Sequence, residues 1–152
     1  MRYTIATDPG GRFVGAAGVR IGMTREAVHA ALGQPERIFR KGAHPVDSEV
    51  YFDHELLLHY DGGQRLDAME LARSAEPVTP QGRSLFRCTA RQIAEDYPGA
   101  RLCGAALICP ELGFVMDCQC MPARLPGSRA DIGCCCVDYL LIHSKTHFQE
   151  EP

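Results

Sequence analysis

The segment that begins at Thr24 constrains the fold of this chain more than any other, because it carries a full set of helix start and stop signals. Thr24 is a favourable N-cap, and apolar residues recur at helical spacing as far as Val28 and Leu32. Gly33 supplies the left-handed residue at which a helix ends, and a proline follows two positions later. The pattern predicts a helix over 25–32 with Val28 and Leu32 buried.

A second segment repeats these signals later in the chain. Thr89 and Gln92 have the spacing of a capping box, and Ile93 and Tyr97 lie four and eight residues after the cap, as the two apolar residues of the first segment do. A proline and a glycine then stop the helix. The pattern predicts a helix over 90–97 with Ile93 and Tyr97 buried.

Strand-like segments follow each predicted helix. They are 49–53, 56–60 and 66–71 in the first half, and 102–109, 113–118 and 137–143 in the second. The sequence Asp61-Gly62-Gly63 is typical of a hairpin turn, and the glycines between 10 and 18 are interpreted as a flexible lead-in. We therefore predict an α+β fold in a single domain over 1–152, with two repeats of a short helix packed on a small antiparallel sheet. The repeats span 13–76 and 77–143, and a tail follows over 144–152.

Composition limits the classes of partner. A chain of 152 residues, 45% hydrophobic and 23% charged, can bury one core. The net charge of −3 and pI near 6.0 provide no basic field, so we expect no nucleic-acid partner. No apolar run reaches the length of a signal peptide or a membrane span, so we expect a soluble, cytoplasmic protein with no membrane partner.

Several short motifs in the first half resemble one family pattern. They are Ile21-Gly22-Met23-Thr24, Ala31-Leu32-Gly33-Gln34-Pro35, Leu58-His59-Tyr60-Asp61 and Met69-Glu70-Leu71. They are similar to the helix-then-sheet repeat of β-lactamase-inhibitor-like proteins, and the second half, from Gly82-Arg83-Ser84-Leu85-Phe86 through Leu112-Gly113-Phe114, resembles bacterial immunity proteins built from two such units. The resemblance covers about 13–118. It implies a protein that blocks a co-encoded toxin by binding to it.

Alternation along the first three strands predicts which side chains contact a partner. It places Val50, Phe52, Leu56, Leu58, Tyr60, Met69 and Leu71 in the core, and Tyr51, Asp53, Leu57, His59, Ala68 and Glu70 outside. Aromatic and acidic side chains on a free sheet face suit a protein partner with a basic cleft. The predicted partner-binding residues are Tyr51, Asp53, His59, Asp61 and Glu70. The alternative interpretation of this face is an ordinary solvated surface.

The cysteines are concentrated near the C-terminal end. All eight lie from Cys88 to Cys136, in a C-x-C and a C-C-C arrangement rather than the C-x-x-C pairs typical of zinc sites. We interpret most of them as small buried hydrophobic residues. The alternative is a zinc-binding or redox-responsive domain, and the sequence leaves open whether its metal ligands or disulfides come from Cys118, Cys120, Cys134, Cys135 and Cys136.

Motifs for catalysis are absent from the sequence. His143 and His147 have the i,i+4 spacing of a metal pair but lack the glutamate of H-E-x-x-H, and neither a phosphate-binding glycine loop nor G-x-S-x-G occurs. We therefore expect no enzyme, no cofactor and no metal. The leading hypothesis is a cytoplasmic immunity protein that blocks a toxin domain. An enzyme with an active site outside known motifs is a third possibility.

Overall fold

The chain folds into two helices and two sheets within the residues that the computed structural model describes, which are 1–40, 42–44, 46–72, 74–118 and 136–145. In chain order the elements are β1 (Arg2–Thr7), β2 (Phe13–Ala16), β3 (Val19–Arg20), α1 (Arg25–Leu32), β4 (Arg37–Phe39), β5 (Ser48–Tyr51), β6 (Leu56–Tyr60), β7 (Leu66–Leu71), β8 (Glu76–Val78), α2 (Ala90–Asp96), β9 (Arg101–Cys103), β10 (Ala106–Cys109), β11 (Phe114–Asp117) and β12 (Tyr139–His143). The fold is α+β and its strands pair mostly antiparallel, as predicted.

Both helices begin at the predicted threonines. The Thr24 hydroxyl accepts a hydrogen bond from the Ala27 N–H, at 3.2 Å. Thr89 and Gln92 form the predicted capping box, each side chain accepting the backbone N–H of the other. α2 ends at Asp96, one residue earlier than predicted, and Tyr97 is its C-cap. Local capping therefore fixes both helices, because each signal lies within one turn of the residue it serves.

The large sheet joins the two halves of the chain. Its strand order is β4-β5-β6-β7-β12-β11-β10-β9, and every neighbouring pair is antiparallel. α1 is followed by β4 to β7 and α2 by β9 to β12, and the two series meet where β7 pairs with β12. The prediction of two separate small sheets is wrong, because pairing β7 with β12 removes two unpaired edges at once. The segment predicted as one strand over 102–109 is two strands, with a turn at Gly104, whose φ is 63°.

A second sheet begins at the N-terminal end, where a flexible lead-in was predicted. Its order is β3-β2-β1-β8, with β1 and β8 parallel. Gly15 has a packing role in it, since a Cβ atom there would lie 2.2 Å from the Val19 carbonyl oxygen. The lead-in prediction is therefore wrong: this glycine allows two backbones to approach closely.

One continuous core lies against one side of the large sheet, which we call the core face. It contains apolar residues of the small sheet, of both helices and of the large sheet, among them Ile5, Phe13, Val28, Leu58 and Ile93. Leu32 and Tyr97 are partly buried and pack against the same core. Val28 and Ile93 are fully buried, as predicted. Among the described residues, no helix combines the length and apolar content that a bilayer crossing needs.

Candidate functional site

The other side of the large sheet, which we call the open face, carries side chains that lie outside this core. Directly paired residues of neighbouring strands point to the same side, so the register identifies the central row of this face. That row runs Arg37, Val50, Leu57, Glu70, Leu141, Val115, Ile108 and Arg101. Leu57, Leu141, Val115 and Ile108 are partly exposed, and none of them packs against the core. The centre of the open face is therefore an apolar band that is interrupted by Glu70, is buried at Val50 and has an arginine at each end.

A chain of polar contacts crosses the open face diagonally over four neighbouring strands. Ser48 Oγ lies 2.7 Å from His59 Nδ1, His59 Nε2 contacts the Glu70 carboxylate, and the Tyr139 hydroxyl donates to the same carboxylate. Burial and Glu70 raise the pKa of Tyr139, so its hydroxyl keeps its proton at neutral pH. The chain fixes the positions of the polar side chains at the centre of the face.

Ser48, His59 and Glu70 are the residue types of a hydrolytic triad, but their arrangement does not present a nucleophile. Ser48 is only 1% exposed. Its hydroxyl contacts Nδ1 of the imidazole and the carboxylate contacts Nε2, which is the reverse of the usual triad. The arrangement therefore orients His59 and Glu70 rather than activating Ser48 for attack on a substrate.

Asp117 adds a second carboxylate to the open face. It is paired with Tyr139 across β11 and β12, and its side chain is half-buried. Within the described residues no hydrogen bond reaches its side chain, and burial together with nearby Asp138 raises the pKa of Asp117. A cationic neighbour stabilises the ionised form of such a carboxylate, because it compensates for the lost solvation and for the repulsion by Asp138.

A different polar cluster occupies the core face and explains why the predicted orientation of β5 is wrong, while the predicted orientations of β6 and β7 are right. Glu49 is completely buried, and it accepts hydrogen bonds from Tyr60 at 2.6 Å and from Arg25 at 3.0 Å, with His29 Nε2 at 2.6 Å. Since these partners compensate its charge, Glu49 can point inwards from β5. Tyr51, two residues on, points inwards as well.

The structure separates the five residues that the sequence predicted as partner-binding. Tyr51 is buried on the core face, where its hydroxyl donates to the Gly33 carbonyl, so its predicted outward position is wrong. Asp53 is fully exposed on the turn between β5 and β6. Asp61 holds the hairpin turn, its carboxylate accepting the N–H groups of two residues that follow it. Only His59 and Glu70 are together on the open face.

Of two further predicted core positions, Val50 lies on the wrong side of the sheet, whereas Phe52 packs against the core although it lies outside the strand. Val50 is buried, but on the open face, beside Leu57. Phe52 has left the strand and has a positive φ of 55°, as do Asp53 and His54 with 54° and 67°. The three residues form a left-handed turn, which ends the alternation earlier than the sequence pattern indicates.

The cysteines divide between described and undescribed residues. Cys88, Cys109 and Cys118 are buried, and Cys103 and Cys136 are exposed. Within the described part of the chain, no group of three potential ligands could hold a metal ion. Cys120, Cys134 and Cys135 lie outside the described residues, as do His147 and most of the predicted tail.

Tyr139 and Asp117 are site residues that sequence reasoning missed. Their strands were predicted, at 137–143 and 113–118, but no local signal indicated that β12 pairs with β7. The Leu141 to Glu70 register alone brings Tyr139 within reach of the Glu70 carboxylate.

Comparison with known proteins does not assign a role to this geometry. No protein-family model, curated protein or solved structure matches the chain.

Proposed function

We propose that this chain is a cytoplasmic immunity protein of the β-lactamase-inhibitor-like type, which binds a toxin domain through the open face of its large sheet. The observation that supports this most is the apolar band of the open face, which surrounds oriented carboxylates at Glu70 and Asp117. A partly exposed apolar centre with aromatic and charged groups at its margin is typical of protein-binding surfaces.

The charges of the open face favour a partner with a basic cleft. Glu70 is held between His59 and Tyr139, and Asp117 lies beside Tyr139. A lysine or arginine of the partner placed near Asp117 would form a desolvated charge pair without reorganising the sheet. Because Glu70 is held in place before binding, its carboxylate loses little conformational freedom when the partner arrives.

The order of elements supports a duplicated unit, as the family resemblance implies. Each half has a capped helix of similar length followed by four antiparallel strands. The central row also carries similar residues at equivalent positions of the two halves. Arg37 of β4 corresponds to Arg101 of β9, and Val50 of β5 corresponds to Ile108 of β10. The proposed repeats differ from the predicted ones in sharing a single sheet, which makes the open face wide enough to span both halves.

The burial of Ser48 supports a binding role over a hydrolytic one. An immunity protein needs only surface complementarity, and its mechanism is to occlude the partner's cleft with side chains that resemble the negative groups of its substrate. The polar chain from Ser48 to Tyr139 has a positioning role in this mechanism.

The proposal predicts that a neighbouring reading frame encodes a large secreted protein, and the C-terminal domain of that protein is the partner to test. The purified full-length chain should bind that domain in a one-to-one complex and restore growth to cells that express it. Failure to bind it, in a sample whose circular dichroism shows the expected mixed helix and sheet, would contradict the proposal.

One observation favours the alternative function of zinc binding or redox response. The Val137 N–H donates to the Cys88 carbonyl, and Cys136 is bridged to Thr89, so Cys88 lies near Cys136 at the same end of the sheet. Elemental analysis of protein purified without chelator separates the two functions. Stoichiometric zinc would favour the alternative, and substoichiometric zinc with no mobility change on oxidation would remove it.

A further inference from the structure

A cleft of about 630 Å³ lies where the β1–β2 turn meets the end of α2. Its lining residues include Thr7, Phe13, Gln81, Arg83, Asp96 and Tyr97. This volume is within the range of small-molecule sites. None of the lining residues belongs to the open face, so the cleft is independent of the proposed toxin contact.

The cleft has an aromatic side. Phe13 is buried, and Tyr97 packs edge-on against it with ring centroids 5.7 Å apart, while Phe114 supports both rings from behind. Burial and nearby Asp96 raise the pKa of Tyr97, so its hydroxyl remains a donor at neutral pH. The ring is therefore held rigidly and presents both an apolar surface and a polar tip.

The cleft also has polar lining residues whose charges cancel. Nε and Nη2 of Arg83 donate to the two carboxylate oxygens of Asp96 at 2.7 and 3.1 Å. This two-point contact leaves the N–H groups of Nη1 directed away from Asp96, and it leaves lone pairs on the carboxylate. Gln81 and Thr7 add neutral donors and acceptors. The site therefore offers many hydrogen bonds and no net charge.

We propose that this cleft binds a neutral sugar ring. A pyranose has an apolar C–H side that fits against the partly exposed ring of Tyr97, and hydroxyls that can pair with the planar Arg83–Asp96 group and with Gln81. The charges of Arg83 and Asp96 offset each other, so the cleft has no net charge that would favour an anion or a cation. Gly11 and Gly82, with φ of 84° and 89°, keep side chains away from the walls.

The test is an NMR titration of the ¹⁵N-labelled full-length chain with glucose, galactose, ribose and N-acetylglucosamine. At least one sugar should cause saturable shifts at the amides of Gly10, Gly11, Gly82 and Tyr97, with a Kd of about 1 mM, which is ordinary for a ligand of this size. Gln81→Ala should weaken that binding about 3- to 10-fold by removing a hydrogen bond from an exposed position. His54→Ala, on the β5–β6 turn, should leave it unchanged.

Two results would overturn this proposal. One is the absence of saturation by every sugar at about 100 mM, a hundredfold above the expected Kd. The other is stronger binding of inorganic phosphate or guanidinium at the same amides, which would mean that the cleft recognises charge.

Tyr97→Phe keeps the packing of the ring, so loss of sugar binding in this variant with an unchanged unfolding midpoint would assign the effect to the hydroxyl. Toxin binding by the open face is measured separately and does not depend on either result.

Discussion

Tyr139 of β12 donates its hydroxyl hydrogen to the Glu70 carboxylate of β7, and this bond crosses the seam at which the two halves of the large sheet meet. A hydrogen bond to a charged group contributes about 1.5–3 kcal/mol to stability. Tyr139→Phe removes the donor and keeps the ring. We expect this change to lower the free energy of unfolding by about 2 kcal/mol in urea denaturation.

Tyr51→Phe is the matched control, because the Tyr51 hydroxyl donates to the neutral carbonyl of Gly33 at 3.0 Å. Its loss should lower stability by about 1 kcal/mol. Equal losses in the two variants would contradict the role assigned to the Glu70 charge.

The buried Glu49 cluster is expected to be the most sensitive polar group of the core face. Glu49→Ala removes the acceptor of the Tyr60 hydroxyl and of Nη1 of Arg25, and breaking a buried pair in this way costs about 3–5 kcal/mol. Thermal and urea unfolding measure the loss. Asp47→Ala is the comparison, since Asp47 pairs with Arg40 at the surface and its loss should cost below about 1 kcal/mol.

The same cluster shows what the sequence could predict and what it could not. The two helices were predictable because Thr24 and Thr89 act within their own first turns. The orientation of β5 was not, because a glutamate faces the core there and its partners come from α1 and β6. Alternation of polar and apolar residues assumes that charge points outwards. Likewise, the pairing of β7 with β12 joins residues 71 positions apart, as Glu70 and Leu141 are, and no local pattern carries that information.

We expect Gly15 of β2 to tolerate no side chain. Gly15→Ala places a methyl group 2.2 Å from the Val19 carbonyl oxygen, and overpacking of this kind costs about 1–3 kcal/mol. Gly62→Ala, where nothing lies within 4 Å of the new atom, should change stability by less than about 0.5 kcal/mol. Similar melting temperatures for the two variants would mean that β2 and β3 are farther apart in solution.

Asp117 should lower stability at neutral pH. Burial and Asp138 raise its pKa in the folded state, so its ionisation is unfavourable there, and this penalty is absent below the pKa of about 3.9 of the unfolded chain. The parent should therefore lose stability relative to Asp117→Asn as the pH rises through the folded-state pKa. We expect the variant to be more stable at pH 7 by less than about 1 kcal/mol, since the side chain is half-exposed, and equal to the parent near pH 3. A constant difference across the pH range would contradict the raised pKa.

The most direct measurement of the central claim compares Asp117→Lys with Asp53→Lys for binding to the toxin domain by calorimetry. Both variants reverse one charge, but Asp117 lies on the open face and Asp53 on the exposed β5–β6 turn. If the open face is the binding surface, Asp117→Lys should weaken binding by at least about 30-fold, as expected when a buried charge pair is broken. Asp53→Lys should stay within about threefold of the parent, with its main effect on the salt dependence of association. The reverse result, with Asp117→Lys binding like the parent and Asp53→Lys failing to bind, would place the partner on the turn and contradict the account.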